Sequence, residues 1–229
     1  MNQRCARLFV LSALSLMTAW LPAGAGAASK PTDSQRSTLE QAVRDHDAGR
    51  IDRARRAFER LARAGVPAAD YNLAVMHLKR ELPKSTPKDA LRHMTRAAER
   101  GFVSAQFGLG QLHENGLVGA RDLALANRWY LEAARNGSVD AQVAIATAYF
   151  LGRGAVKDIE AAAEWYREAA KGGDVGAQYL IASLYEAGDG VSRDLRLARY
   201  WYDIAARNGD DAAAFKVMEL DERLAAPAS

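Results

Sequence analysis

The sequence predicts an all-α chain, a solenoid of antiparallel helix pairs, and three observations carry that reading. A strict interval of 36 residues links Ala69, Ala105, Ala141, Ala177 and Ala213, then Gln106, Gln142 and Gln178, and then Trp129-Tyr130, Trp165-Tyr166 and Trp201-Tyr202. Self-similarity at such a period marks stacked supersecondary units. Within one unit, apolar residues recur at helical spacing: Ala105, Leu109 and Leu112 in a first helix, Ala126, Tyr130 and Ala133 in a second. The punctuation between them repeats too. Gly116, Gly152 and Gly188 end the first helices, since glycine adopts the left-handed conformation at helix C-termini at least cost. Asp122, Asp158 and Asp194 stand where an N-cap accepts free amides of the second helix, which stops at glycines such as Gly137.

At the N-terminus, Met1 to Arg7 carries Arg4 and Arg7 with no acid, Leu8 to Leu21 is mostly apolar, and Pro22 leads into Ala23-Gly24-Ala25-Gly26-Ala27-Ala28. This is the build of a secretory signal peptide over 1–28, cut after Ala25 or Ala27. The apolar run falls short of the roughly 20 residues that span a bilayer, so no stable membrane insertion is expected after cleavage. The single cysteine, Cys5, precedes the run and leaves with the leader. A chain without cysteine in an oxidising compartment must rely on packing alone. Removal of Arg4 and Arg7 leaves 29 Lys+Arg against 28 Asp+Glu. That balance excludes the broad basic footprint of a nucleic-acid binder, whatever the precursor pI of about 9.0 suggests.

Residues 29–33 form a short linker. A hairpin over 34–66 follows, with Gly49, Ala54, Phe58, Leu61-Ala62 and Gly65 spaced as in a tetratricopeptide pair. Segment 67–102 keeps Ala69, Leu73, Ala90, Ala97-Ala98 and Gly101. It has His93-Met94 in place of Trp-Tyr, with Pro83 and Pro87 in a loop without glycine. Segments 103–138, 139–174 and 175–210 carry the full pattern, a capping helix spans 211–224, and 225–229 is a disordered tail. In the middle segment Tyr149, Gly152-Arg153-Gly154, Asp158, Ala162, Trp165-Tyr166, Ala169-Ala170 and Gly173 resemble a nearly complete Sel1-like repeat. Trp165 and Tyr166 are expected to close the contact between adjacent hairpins. The resemblance covers nearly the whole chain beyond the leader. It implies a right-handed superhelix of four such repeats and a leading hairpin, with atypical ends.

Candidate chemistry is sparse. Ser85-Thr86-Pro87-Lys88 matches the Ser-x-x-Lys of penicillin-recognising enzymes, but neither of the companion SDN and KTG elements occurs. Pro87 suits a loop better than the helix such a nucleophile needs. His113-Glu114 opens like a zinc-protease motif, yet Leu117 stands where the second histidine belongs. His77 and His113 share one repeat position with Tyr149 and Tyr185. Two histidines lack the further ligands a tight metal site wants, so substitution for a packed tyrosine is the preferred reading. The Gly-x-Gly turns at 152–154 and 188–190 precede aspartate caps that would repel phosphate. No catalytic residue, cofactor or metal is expected, and the chain is read as a non-enzyme.

The remaining signal is surface. On the side of each first helix opposite Leu109 lie Phe107, Gln111 and Glu114. Their equivalents are Tyr71, Val75 and Leu78, then Val143, Thr147 and Phe150, then Tyr179, Ser183 and Glu186. Likeness to tetratricopeptide solenoids implies that this side lines the concave groove, and a contiguous apolar surface marks an interaction site. The resemblance to Sel1-like proteins implies a bacterial periplasmic or secreted scaffold that binds a peptide or protein partner there, and no nucleic acid is expected among its partners. The alternatives are a cell-wall-directed, beta-lactamase-like hydrolase acting through Ser85, and a structural adaptor using its convex face or termini.

Overall fold

The computed structural model describes residues 31–225; the expected leader and residues 226–229 of the expected tail lie outside them. Among the described residues there are eleven helices and no strand. They are α1 (Asp33–Asp47), α2 (Ile51–Arg63), α3 (Pro67–Leu78), α4 (Pro87–Glu99), α5 (Val103–Asn115) and α6 (Leu123–Arg135). Then come α7 (Val139–Leu151), α8 (Ile159–Lys171), α9 (Val175–Ala187), α10 (Leu195–Arg207) and α11 (Asp211–Ala225).

Local chemistry sets the helix ends. The carboxylates of Asp122, Asp158 and Asp194 accept from the amides of Leu125, Ala161 and Leu197, capping α6, α8 and α10. Ser138 and Asp174 cap α7 and α9 in the same way. Gly116, Gly152 and Gly188 close α5, α7 and α9 in the left-handed region, at φ of 64°, 68° and 82°. In segment 67–102, the degenerate repeat, Arg80 occupies this position at φ 58°.

Two local expectations are corrected. Thr32 and Gln35 form a reciprocal capping box, so α1 begins at Asp33, inside the expected linker. Pro87 is not loop but the first residue of α4, behind the Thr86 cap; its missing N–H costs nothing where no intrahelical partner exists.

The described residues divide into two compact units, the first ending at Asn136 and the second beginning at Gly137. In the first, the pairs α1/α2, α3/α4 and α5/α6 are antiparallel hairpins, with α2 against α3 and α4 against α5. Their shared core holds Phe58, Leu61, Leu73, Met76, Met94, Leu109 and Leu112. In the second, α7/α8 and α9/α10 are hairpins, α8 lies on α9, and α11 covers α10. Here the core is Tyr166, Ile181, Tyr202 and Leu220 set among alanines such as Ala146, Ala169, Ala177 and Ala205.

The Trp-Tyr pairs divide in an unexpected way. The tyrosines Tyr130, Tyr166 and Tyr202 are 4%, 3% and 1% exposed, whereas Trp129, Trp165 and Trp201 are only half-buried. Tyrosine falls on the same stripe as Ala126 and Ala133, and tryptophan, one residue earlier, is turned about 100° from it. Met94 takes the buried place in the degenerate repeat. The last helix buries Ala213 and Leu220 but leaves Phe215 73% and Met218 65% exposed. No helix among the described residues is long and apolar enough to cross a membrane.

Candidate functional site

The side of the first helices opposite the core is half-covered, and the second helix of each hairpin provides its floor. In the first unit Tyr71 is only 5% exposed and tilts against Phe102 at 5.3 Å between ring centres, with burial pushing its phenol up to about 12. Val75 and Leu78 are partly buried against the core. Phe107 leans on Tyr130 at 5.5 Å, and the Tyr130 hydroxyl donates to Glu114 at 2.7 Å. Gln111 lies between Phe107 and Glu114 on the same face, half-buried.

The second unit repeats the arrangement on its own residues. Phe150 meets Tyr166 edge-on at 6.5 Å, and the Thr147 hydroxyl pairs with that of Tyr166 at 3.0 Å while donating to the Val143 carbonyl. Tyr179 meets Tyr202 at 5.1 Å, and the Tyr202 hydroxyl donates to Glu186 at 3.1 Å. Ser183 lies half-buried on the same face. Glu186 also accepts from Arg223 of α11 at 2.7 Å, with the Lys216 ammonium at 3.4 Å. Burial alone would raise the Glu186 carboxyl, but the bonds from Arg223 and Tyr202 and the Lys216 charge hold it below the usual range.

None of the twelve face residues is fully exposed. Tyr71 belongs to the core and the other eleven are half-buried; among them Phe107, Phe150 and Tyr179 rest on the second-helix tyrosines Tyr130, Tyr166 and Tyr202. The tyrosine floor was readable in the 36-residue register as the second half of each Trp-Tyr pair. Its role was not, because a one-residue step in a helix decides which ring faces inward.

The same register reveals a second polar element. The buried Gln106 donates to the Ala98 carbonyl and accepts from Asn136 at 2.9 Å; Gln178 does the same with Ala170 and with Asn208 at 3.0 Å. Each glutamine ties its hairpin to the preceding second helix. In the degenerate repeat the glutamine is replaced by Asp70, fully buried and held by His93 at 2.8 Å and Arg100 at 2.9 Å.

The other sequence candidates carry no assembled chemistry. Ser85 donates its hydroxyl to the Leu82 carbonyl at 2.8 Å, in the turn before α4. His77 stacks not on His113 but on His93, 5.7 Å away and 14° from parallel. Among the described residues no three His, Cys, Asp or Glu side chains are grouped as metal ligands. At Gly190 a Cβ would lie 2.5 Å from the Ile159 carbonyl, so this turn glycine serves the contact with the start of α8.

Four consecutive segments, residues 67–102, 103–138, 139–174 and 175–210, match the model of the Sel1 repeat. The chain belongs to the Sel1-repeat family. A Sel1 repeat protein from Oxalobacter formigenes superposes with a TM-score of 0.67 at 29% identity, over 73% of this chain and 49% of that one. A protective antigen of uropathogenic Escherichia coli, displaying an SLR fold, superposes with a TM-score of 0.76 at 26% identity, over 85% of this chain and 43% of that one. The chain thus spans about half the length of these two relatives or less. No curated protein matches it. Sel1 repeats generally mediate protein interactions, and the family is typically non-enzymatic.

Proposed function

We propose that this Sel1-repeat chain is a periplasmic or secreted scaffold that holds a peptide or protein partner on the outward face of its first helices. One observation supports that face above others: in three repeats a half-buried aromatic rests on a buried tyrosine, Phe107 on Tyr130, Phe150 on Tyr166 and Tyr179 on Tyr202. Rings held from below lose little rotamer freedom when a partner covers them, which favours aromatic anchors. Glu114 and Glu186, fixed by the tyrosine hydroxyls, supply polar selectivity beside them.

The test is capture of the partner from the cell envelope, then titration of the identified partner against three proteins. Gln111→Lys with Ser183→Lys should weaken binding at least tenfold, while Arg167→Ser with Lys171→Ser, on α8, should leave it within twofold. The reverse pattern would discard the face. Amino-terminal sequencing of the protein from fractionated cells should find Gly26 or Ala28 first; an intact Met1 would remove the secretory reading.

A second reading, an adaptor that makes its contacts through its end, draws on the exposed Phe215 and Met218. Replacing both by Ser separates the two readings in the same titration.

A further inference from the structure

The first hairpin opens a cleft of about 480 Å³ whose walls carry Arg44 of α1 and Arg53, Arg56 and Arg60 of α2. A single carboxylate, Asp45, lies among them. It is almost fully buried, with Arg53 at 3.0 Å and Arg50 at 2.8 Å, so its charge is already spent on fixed partners. Arg44 bonds the Gln41 amide oxygen at 3.0 Å and has Glu40 3.9 Å away. The side chains of Arg56 and Arg60 make no hydrogen bond or ion pair with any described residue. Four guanidinium groups against one paired carboxylate leave a concentrated positive excess, in a chain whose charges nearly balance.

From this juxtaposition we infer that the cleft is a second binding site, separate from the outward face, that takes an extended acidic segment of a protein partner. The spacing favours a peptide over a single anion. Arg56 and Arg60 are four residues apart on one helix, about 6 Å along its axis. Alternate side chains of an extended peptide are about 6.6 Å apart, so a Glu-x-Glu segment sets one carboxylate against each guanidinium. Arg53 continues the stripe toward the start of α2, where Asp45 holds it in place. Arginine, with its planar fork of donors, is the side chain suited to such pairing.

The probe is a fluorescein-labelled peptide of alternating Glu and Ser, with a Gln/Ser peptide of the same length as control, read by anisotropy on the full chain. The Glu peptide should bind, the Gln peptide should bind at least tenfold more weakly, and raising the salt should weaken the Glu peptide alone. Arg56→Ser with Arg60→Ser should cost at least tenfold with an unchanged melting curve, because both side chains are exposed. Arg56→Glu with Arg60→Glu should instead take a Lys/Ser peptide. Arg128→Ser with Arg167→Ser, and the outward-face pair Gln111→Lys with Ser183→Lys, should not change the peptide affinity. Equal binding of the Glu and Gln peptides, or no loss in the Arg56/Arg60 variant, would overturn the site. So would pyrophosphate displacing the peptide at equal concentration, or anionic phosphatidylglycerol vesicles binding more tightly than the peptide through the same arginines.

Discussion

Arg100 donates to Asp70 across 2.9 Å and so closes the link that Asn136 closes with Gln106 and Asn208 with Gln178, the equivalent pairs lying 36 and 108 residues further on. Aspartate accepts but cannot donate, so the Ala62 carbonyl loses the donor that Ala98 receives from Gln106. Arg96 supplies it instead, at 3.5 Å. Asp70→Gln alone should destabilise the protein by about 2 kcal/mol, because it leaves His93 and Arg100 facing an uncharged amide. Asp70→Gln with Arg100→Asn restores the arrangement of the other repeats and should recover at least half of that loss. Chemical denaturation of the two singles and the double closes the cycle; strictly additive losses would mean the pairs are not equivalent.

Tyr166 and Trp165 are neighbours in sequence but unequal in packing, and the difference is measurable. Tyr166→Ala should cost about 3 to 5 kcal/mol, since it empties a filled position in the core of the second unit. Trp165→Ala removes a larger ring that is only half-buried and should cost less, about 1 to 2 kcal/mol. Melting both variants in one buffer decides the order, and a greater loss for Trp165 would contradict the burial.

His77 and His113 give stability a pH dependence. Burial lowers both below the ordinary 6.5; the His93 and Arg92 charges push His77 down further against Asp89 and Glu59, and Asp122 partly opposes the shift at His113. The Nδ1 of His77 is buried without a hydrogen-bond partner among the described residues. The folded state therefore binds fewer protons than the unfolded one near pH 6.5. The contribution is complete above that value and is lost as pH falls through the lowered folded values. His77→Tyr with His113→Tyr, which installs the residue found at Tyr149 and Tyr185, should flatten the melting temperature between about pH 7.5 and about pH 5. An unchanged slope in the double variant would assign the pH response elsewhere.

Arg80 holds a left-handed conformation where the complete repeats use glycine. Arg80→Gly relieves a steric cost of about 1 to 2 kcal/mol, partly offset by the greater freedom of glycine in the unfolded chain. A net gain of about 0.5 to 1 kcal/mol in denaturation should follow. Lys79→Gly, one residue earlier in right-handed geometry, should instead destabilise.

The repeat register, the aspartate caps and the glycines that end the first helices could all be read from the amino-acid sequence. Each of these is a short-range matter: a cap reaches two or three residues, and the 36-residue interval is written in the residues that meet it. Tertiary structure alone decided which member of each Trp-Tyr pair enters the core. It also decided that Tyr71 is interior while Phe107, Phe150 and Tyr179 rest on tyrosines, and that Asp70, His93, Arg96 and Arg100 form one cluster. Those outcomes depend on where one helix meets another. A 100° turn per residue converts a single step in sequence into the difference between a buried ring and a half-exposed one.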